Sequence, residues 1–257
     1  MSISLYKITV LTSWILTSIG LYIMYLNDDW LWLIPMWVMI RFNHTCLSLH
    51  HRLISHRSFE AGSKFKHNLI IFLSVFQVNH SPLKFAISHR HHHKNSDLGP
   101  ELDVHGPSTG FWNTLIGWEL TLETRQRVLQ MKLNRDLLRD KFLLWFDKHY
   151  YKILFFVFLI IFLLSPSVFW YIVVPASVFW KLEANLFVNW YCHKFGYTTY
   201  KLDTDTSHNS VWAGYLTMGE GWHNNHHANP GNYSNKERWW EFDPPGIIIA
   251  LIKKHDK

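Results

Sequence analysis

Cysteine is almost missing from this chain: Cys46 and Cys192 are the only two among 257 residues. That count excludes a disulfide-stapled extracellular scaffold, and both thiols fall at the ends of apolar runs expected to face a reducing compartment, where no bridge forms. Internal repeats, Gly/Ser linkers and low-complexity tracts are missing as well, so a single domain, 1–257, is expected. An HExxH motif, a nucleophile elbow and a glycine-rich phosphate loop are also absent. Each would have brought its own zinc, hydrolase or nucleotide chemistry. Charge, finally, is scarce over long stretches, and that scarcity organises the chain.

A helix needs roughly 20 mostly apolar residues to cross a bilayer. Three runs reach that length, about 3–26, 30–49 and 170–191, and a fourth at 150–165 is marginal. The average hydropathy is near zero only because the remaining stretches are strongly polar. None of the 25 Lys and Arg residues lies in the short connections 27–29 and 165–169. By the positive-inside rule, two hairpins then dip into the membrane, and both termini and the long regions 50–149 and 192–257 are cytoplasmic. The expected fold is an all-α integral membrane protein with four transmembrane helices and a cytosolic helical cap. The net charge of +6 follows from this topology and needs no nucleic acid, although an anionic head group or acyl carrier could use it. Trp30, Trp32, Trp170 and Trp190 sit near segment ends, as interfacial anchors do. The first apolar run is too long for a secretory signal and shows no cleavage site, so it is expected to stay as a span.

Between the hairpins, residues 68–87 contain a short apolar stretch followed by Gln77, Asn79, His80 and Pro82. They are expected to form one helix in or just under the interface, because a full span there would put the flanking histidine groups on opposite sides. Residues 121–148 carry Leu122, Val128, Leu129, Leu133, Leu137 and Leu138 at helical intervals, which predicts a charged amphipathic helix or helix pair.

Eighteen histidines are present, and their spacing is the most informative feature. His51 and His56 stand five apart; His89, His92 and His93 form HxxHH; His223, His226 and His227 repeat that spacing. On a helix, positions i, i+3 and i+4 share a face, so each HxxHH aims several imidazoles at one point. A spacing of five does not do this on an α-helix. His51 and His56 are therefore expected either where a helix ends or unwinds, or facing two different ions. Eight patterned histidines exceed the four ligands of a structural zinc and imply two metal ions. Imidazole suits iron, copper, zinc and nickel. A nitrogen-rich membrane site beside a long apolar passage suits oxygen chemistry on lipids, which makes iron the expected metal.

With these residues in place, the segment from about Arg41 to Asp243 resembles the membrane fatty acid desaturases, most closely the acyl-CoA or delta-nine type. "HRLISHRSF", "HRHHHKNSD" and "GEGWHNNHH" are similar to the three histidine boxes of that family, and "GFWNTLIGW" to the segment after the second. "NWYCHKFGY" resembles an element that would make His193 a ninth nitrogen ligand and Asn189 a ligand through water. The resemblance implies two irons above a substrate tunnel and a reaction drawing on dioxygen and two external electrons. It also implies a separate donor such as cytochrome b5 or ferredoxin. The product would be a cis double bond in a fatty acyl chain; related histidine-box enzymes hydroxylate or form alkenes instead. Asp97, Glu220 and Asn224 are candidates for tuning the metal from behind its ligands. The chain departs from the family pattern at Lys84 and Phe85 ahead of the second box, at Val104, and in a longer stretch between Asp97 and Asp103. These positions bear on the carrier, for which CoA, acyl carrier protein and complex lipid all stay open.

Overall fold

The computed structural model describes residues 3–99, 102, 103, 106–118 and 134–254, and within them the chain is helical with only isolated bridge pairs. Helix α1 (Ile3–Leu26) is followed by a tight turn and a single 3₁₀ turn, Trp30–Trp32. Helix α2 (Leu33–His50) then passes without a break into a π-wound segment, His51–Ser55. Helices α3 (Lys64–Leu73) and α4 (Pro82–Asn95) come next. After them come α5 (Lys141–Leu164) and a long α6 (Pro166–Tyr191) that is π-wound at Phe169–Val173 and again at Ala184–Tyr191. Three short helices, α7 (Val211–Leu216), α8 (His223–Ala228) and α9 (Pro244–Ile252), complete the described chain.

Local chemistry sets these boundaries. Ser63 accepts from the Lys66 amide to start α3, Ser81 accepts from the Lys84 amide with Pro82 opening α4, and Asp140 accepts from the Phe142 and Leu143 amides to start α5. Pro166 cannot continue α5, so the chain turns there and begins α6. Two expectations change. The region expected to hold one interfacial helix over 68–87 holds two, bent by 86°. The cause lies at Val78, which is held at φ +47, and at Pro82, which cannot donate into a preceding turn. The marginal run at 150–165 belongs to a helix that starts nine residues earlier, at Lys141; Asp147, Lys148 and Lys152 in its first half mask it in composition. That helix also takes the end of the amphipathic segment expected over 121–148, whose residues 121–133 lie outside the described residues.

Side-chain contacts give the relative direction of the long helices. Trp32 meets Tyr171, Asn43 bonds the Ala176 carbonyl and His44 meets Glu183, so α2 and α6 run the same way. Helix α1 runs against them, with Gly20 on the Trp170 carbonyl and Thr17 bonded to the Val174 carbonyl. A Cβ at Gly20 would lie 2.2 Å from that carbonyl oxygen, so only glycine permits the approach. The C-terminal ends of α2 and α6 therefore emerge on one side. Beneath that end lies a core of Leu49, Leu53, Ile70, Leu143, Phe146 and Ile249, tying α2, α3, α5 and α9 together. Among the described residues, two helices, Leu5–Leu26 and Pro166–Tyr191, are long and apolar enough to cross a membrane.

Candidate metal centre

Each histidine group reaches the site by a different route. His51 and His56 flank the π-wound end of α2, where the His56 amide bonds the His51 carbonyl. In a π segment the hydrogen bond runs from i to i+5, so residues five apart return to one face. His89, His92 and His93 sit on α4, His223, His226 and His227 on α8, and His193 lies two residues beyond α6.

All nine converge. His51, His56, His89, His93 and His226 bring one nitrogen each within 4.8 Å of one another, and His92, His193, His223 and His227 do the same beside them. His93 of the first set stacks on His227 of the second with ring centroids 4.2 Å apart. Of the alternatives for the spacing of five, the helix does unwind there, and His51 and His56 face one cluster rather than two.

The nitrogens are arranged for a cation. Nε2 of His51 lies 2.7 Å from that of His89 and 3.0 Å from that of His56, and those two are 2.9 Å apart. A neutral imidazole nitrogen either donates or accepts, so a triangle of three cannot be satisfied by hydrogen bonds between its members. Two ligands at right angles about 2.1 Å from a metal ion lie roughly 3.0 Å from each other, close to these separations. His93 meets His226, and His193 meets His223, at the same 3.0 Å. The His227 Nε2 is buried with no partner. This donor set fits a pair of metal ions.

The opposite ring nitrogens are held from outside. Nδ1 of His51 contacts Glu220 at 2.9 Å, that of His92 contacts Asp103 at 2.9 Å, that of His193 contacts Asp97 at 3.0 Å, and that of His227 contacts Asp205 at 2.5 Å. A carboxylate only accepts, so each ring donates from Nδ1 and keeps the Nε2 lone pair for the centre. Burial pushes the imidazole pKa values of His56, His89, His93, His223, His226 and His227 well below the ordinary range, and repulsion from neighbouring rings lowers them further. Burial also opposes charge on His92, but the Asp103 contact outweighs it and raises that pKa. Glu220 is buried too, yet His51 and Arg52 hold its pKa far below the usual carboxylate range.

Among the residues singled out as tuners, Asp97 and Glu220 touch clustered rings. Asn224 instead accepts from the Thr199 and Tyr200 amides and fixes their loop. Asn189 donates to Asn185 beside the cluster. Asp103 and Asp205 went unremarked in the sequence; the only signal was a carboxylate in a loop within a dozen or so residues of a ligand, which many loops share. In the apolar run at 170–191, Glu183 binds Arg41 and His44 of α2. Of the departures, Lys84 pairs with Asp147 at 3.7 Å, Phe85 stacks on His89, and Asp103 accepts from the Asp97 amide. Val104 lies outside the described residues.

Against the clusters lies a narrow cavity whose apolar lining includes Leu47, Phe85, Trp118, Trp180, Ala184 and Val188, with His51, His89, His92 and His223 in its wall. A site of neutral nitrogens facing an apolar cavity can bring redox metals to a hydrocarbon while keeping water out.

Comparison with known proteins agrees with this geometry. The model of the fatty acid desaturase family matches residues 28–242. The sn-1 stearoyl-lipid 9-desaturase of Anabaena variabilis is 32% identical over 206 residues, 79% of this chain and 73% of that protein. Its namesake from Synechocystis is 35% identical over 204 residues, 79% of this chain and 62% of that protein. The sn-2 palmitoyl-lipid 9-desaturase of a Nostoc strain is 31% identical over 212 residues, 81% and 72% of the two chains. The chain thus spans less than two thirds of one of these relatives and somewhat more of the other two. It belongs to the fatty acid desaturase family, whose members are oxidoreductases that introduce double bonds into acyl chains.

Proposed function

We propose that this chain is an O2-dependent, di-iron acyl desaturase that forms a cis double bond at carbon 9 of a saturated fatty acyl chain. The observation that carries the reading is the convergence of nine histidines, from three boxes and the end of α6, on one wall of an apolar cavity. The five-histidine and four-histidine sets would each hold one iron, with Asn189 acting on the second through water. Iron bound there supplies the redox chemistry that unactivated methylenes require, since they offer no acidic proton to an ordinary base.

The chain's own residues do the positioning. Leu47, Phe85, Trp180 and Val188 would grip the acyl chain and exclude water, and the carboxylates behind the rings hold each Nε2 toward the metals. The electrons come from a separate protein such as cytochrome b5 or ferredoxin. The resemblance of the sequence pointed to acyl-CoA, whereas the names of the three relatives support an acyl chain carried on a membrane lipid. Four spans, α1, α2, α5 and α6, fit this reading, with the cap of 50–149 and 192–257 and both termini on the cytoplasmic side of the endoplasmic reticulum or a bacterial inner membrane.

The test is expression in a host of known fatty acid composition together with a competent electron donor, followed by gas chromatography of methyl esters. A new 9-monounsaturated species is expected; hydroxy acids or hydrocarbons in its place would overturn the desaturase outcome. Assay of the purified protein with stearoyl-CoA against a stearoyl lipid decides the carrier.

A further inference from the structure

The two histidine clusters are supported unequally. In the four-histidine set three rings, His92, His193 and His227, donate to carboxylates, and no Lys or Arg among the described residues pairs with Asp97 or Asp205. Asp97 instead accepts from the Thr206 amide and hydroxyl, and Asp205 from the Ser207 amide. In the five-histidine set only His51 meets a carboxylate, and that one, Glu220, is shared with the Arg52 guanidinium at 3.1 Å and the Ser48 hydroxyl at 2.7 Å. His56, His89, His93 and His226 have no carboxylate behind them among the described residues, and Nδ1 of His226 is buried without a partner.

Each outer carboxylate makes its imidazole a better donor and adds negative charge beside the ion, while Arg52 offsets the one negative charge on the five-histidine side. A more negative surround stabilises a divalent ion, and a trivalent one more strongly still. We infer that the two metal positions are unequal: the four-histidine position, buttressed by Asp97, Asp103 and Asp205, binds its iron first and keeps it ferric longest during reduction. The higher ligand count of the other position works against this order, and the charge difference outweighs it. Asp103 and Asp205 are then positioning residues acting through His92 and His227. This inference rests on the di-iron reading above.

The experiment is an anaerobic iron(II) titration of metal-stripped full-length protein in lipid nanodiscs, with metal content per chain and Mössbauer spectra recorded along a reductive titration. Two binding phases are expected. His226→Ala should keep the tight phase and His227→Ala only the weak one. Asp205→Asn and Asp97→Asn should weaken the tight phase by about 10–100-fold and leave the weak one in place, with Asp205→Glu restoring it, whereas Glu220→Gln should weaken the weak phase. In the wild type the iron that survives in His226→Ala should be the last reduced, and Asp205→Asn should erase that order, a change that a purely structural role would not produce. A single phase of two equivalent ions, or Asp205→Asn and Glu220→Gln weakening the same phase, overturns the inequality while leaving the di-iron reading standing. No iron in either phase removes both.

Discussion

Helices α1 and α6 have nearly the same mean hydropathy, 1.5 and 1.3, and opposite roles. Helix α1 winds regularly, turns Ile8, Leu11, Ile15 and Ile19 outward, and has only 28% of its apolar window buried, against 67% for α6. Helix α6 departs from α-winding at both ends and carries Lys181, Asn185 and Asn189 to the cavity wall, then His193 to the centre. Apolarity makes both compatible with a bilayer. What separates anchor from scaffold is irregular winding, which re-aims side chains that a regular helix would send elsewhere.

The comparison is sharpened most by His193→Ala, just past α6. It should cut product formation by more than the roughly 10–100-fold typical of losing an outer partner of a ligand, and metal analysis should find about one ion per chain. Full metal content in that variant would show that the scaffold role ends before the cap.

Next in size is the seam between the two helices. Gly20→Val places carbon against the Trp170 carbonyl and should destabilise by about 1–3 kcal/mol, read as a lower Tm in detergent. Activity per folded molecule should survive, because α1 touches no clustered histidine. An unchanged Tm would mean that α1 is not held against α6.

Acid should act on the scaffold side alone, since α1 carries no histidine. The buried rings of His56, His89, His93, His223, His226 and His227 have lowered pKa values when folded, while unfolded imidazoles titrate near 6.5. Below that pH the unfolded chain binds protons that the folded one refuses, so metal-depleted protein should be stable above it and weaken steadily as pH falls. Thermal melts from pH 8 to 5 check the sign; greater stability in acid would contradict it. Smallest of all, Ile15→Val on the outward face of α1, 60% exposed, should change stability by no more than about 0.5 kcal/mol, read as a nearly unmoved Tm.

Much of this was legible in the residues. The span at 3–26 falls on α1 to the residue, and in each HxxHH the i and i+4 rings, His89 with His93 and His223 with His227, share a cluster while the i+3 rings, His92 and His226, go to the other. His193, by contrast, stands alone in the sequence and was reached only through resemblance, because ligands joined by tertiary packing leave no spacing to read. Asp103 and Asp205 stayed hidden for the same reason. The bend between α3 and α4 was missed because Val78 in a left-handed conformation is set by packing rather than by propensity, and glycine or asparagine would have been the readable signal. Lys181 and Glu183 stand two residues apart, an offset whose side chains point to different sides of a helix, and Glu183 binds Arg41 and His44.

The extra residue in the segment His51–Ser55 acts as a shim. Wound as an ordinary α-helix with the same five residues, this stretch would turn His56 by roughly 100° away from the face it shares with His51, with no change in hydrophobicity, charge or ligand count. Length and winding are therefore tied here: five residues bring the two rings together only with the wider turn, and four would do so only with the ordinary one.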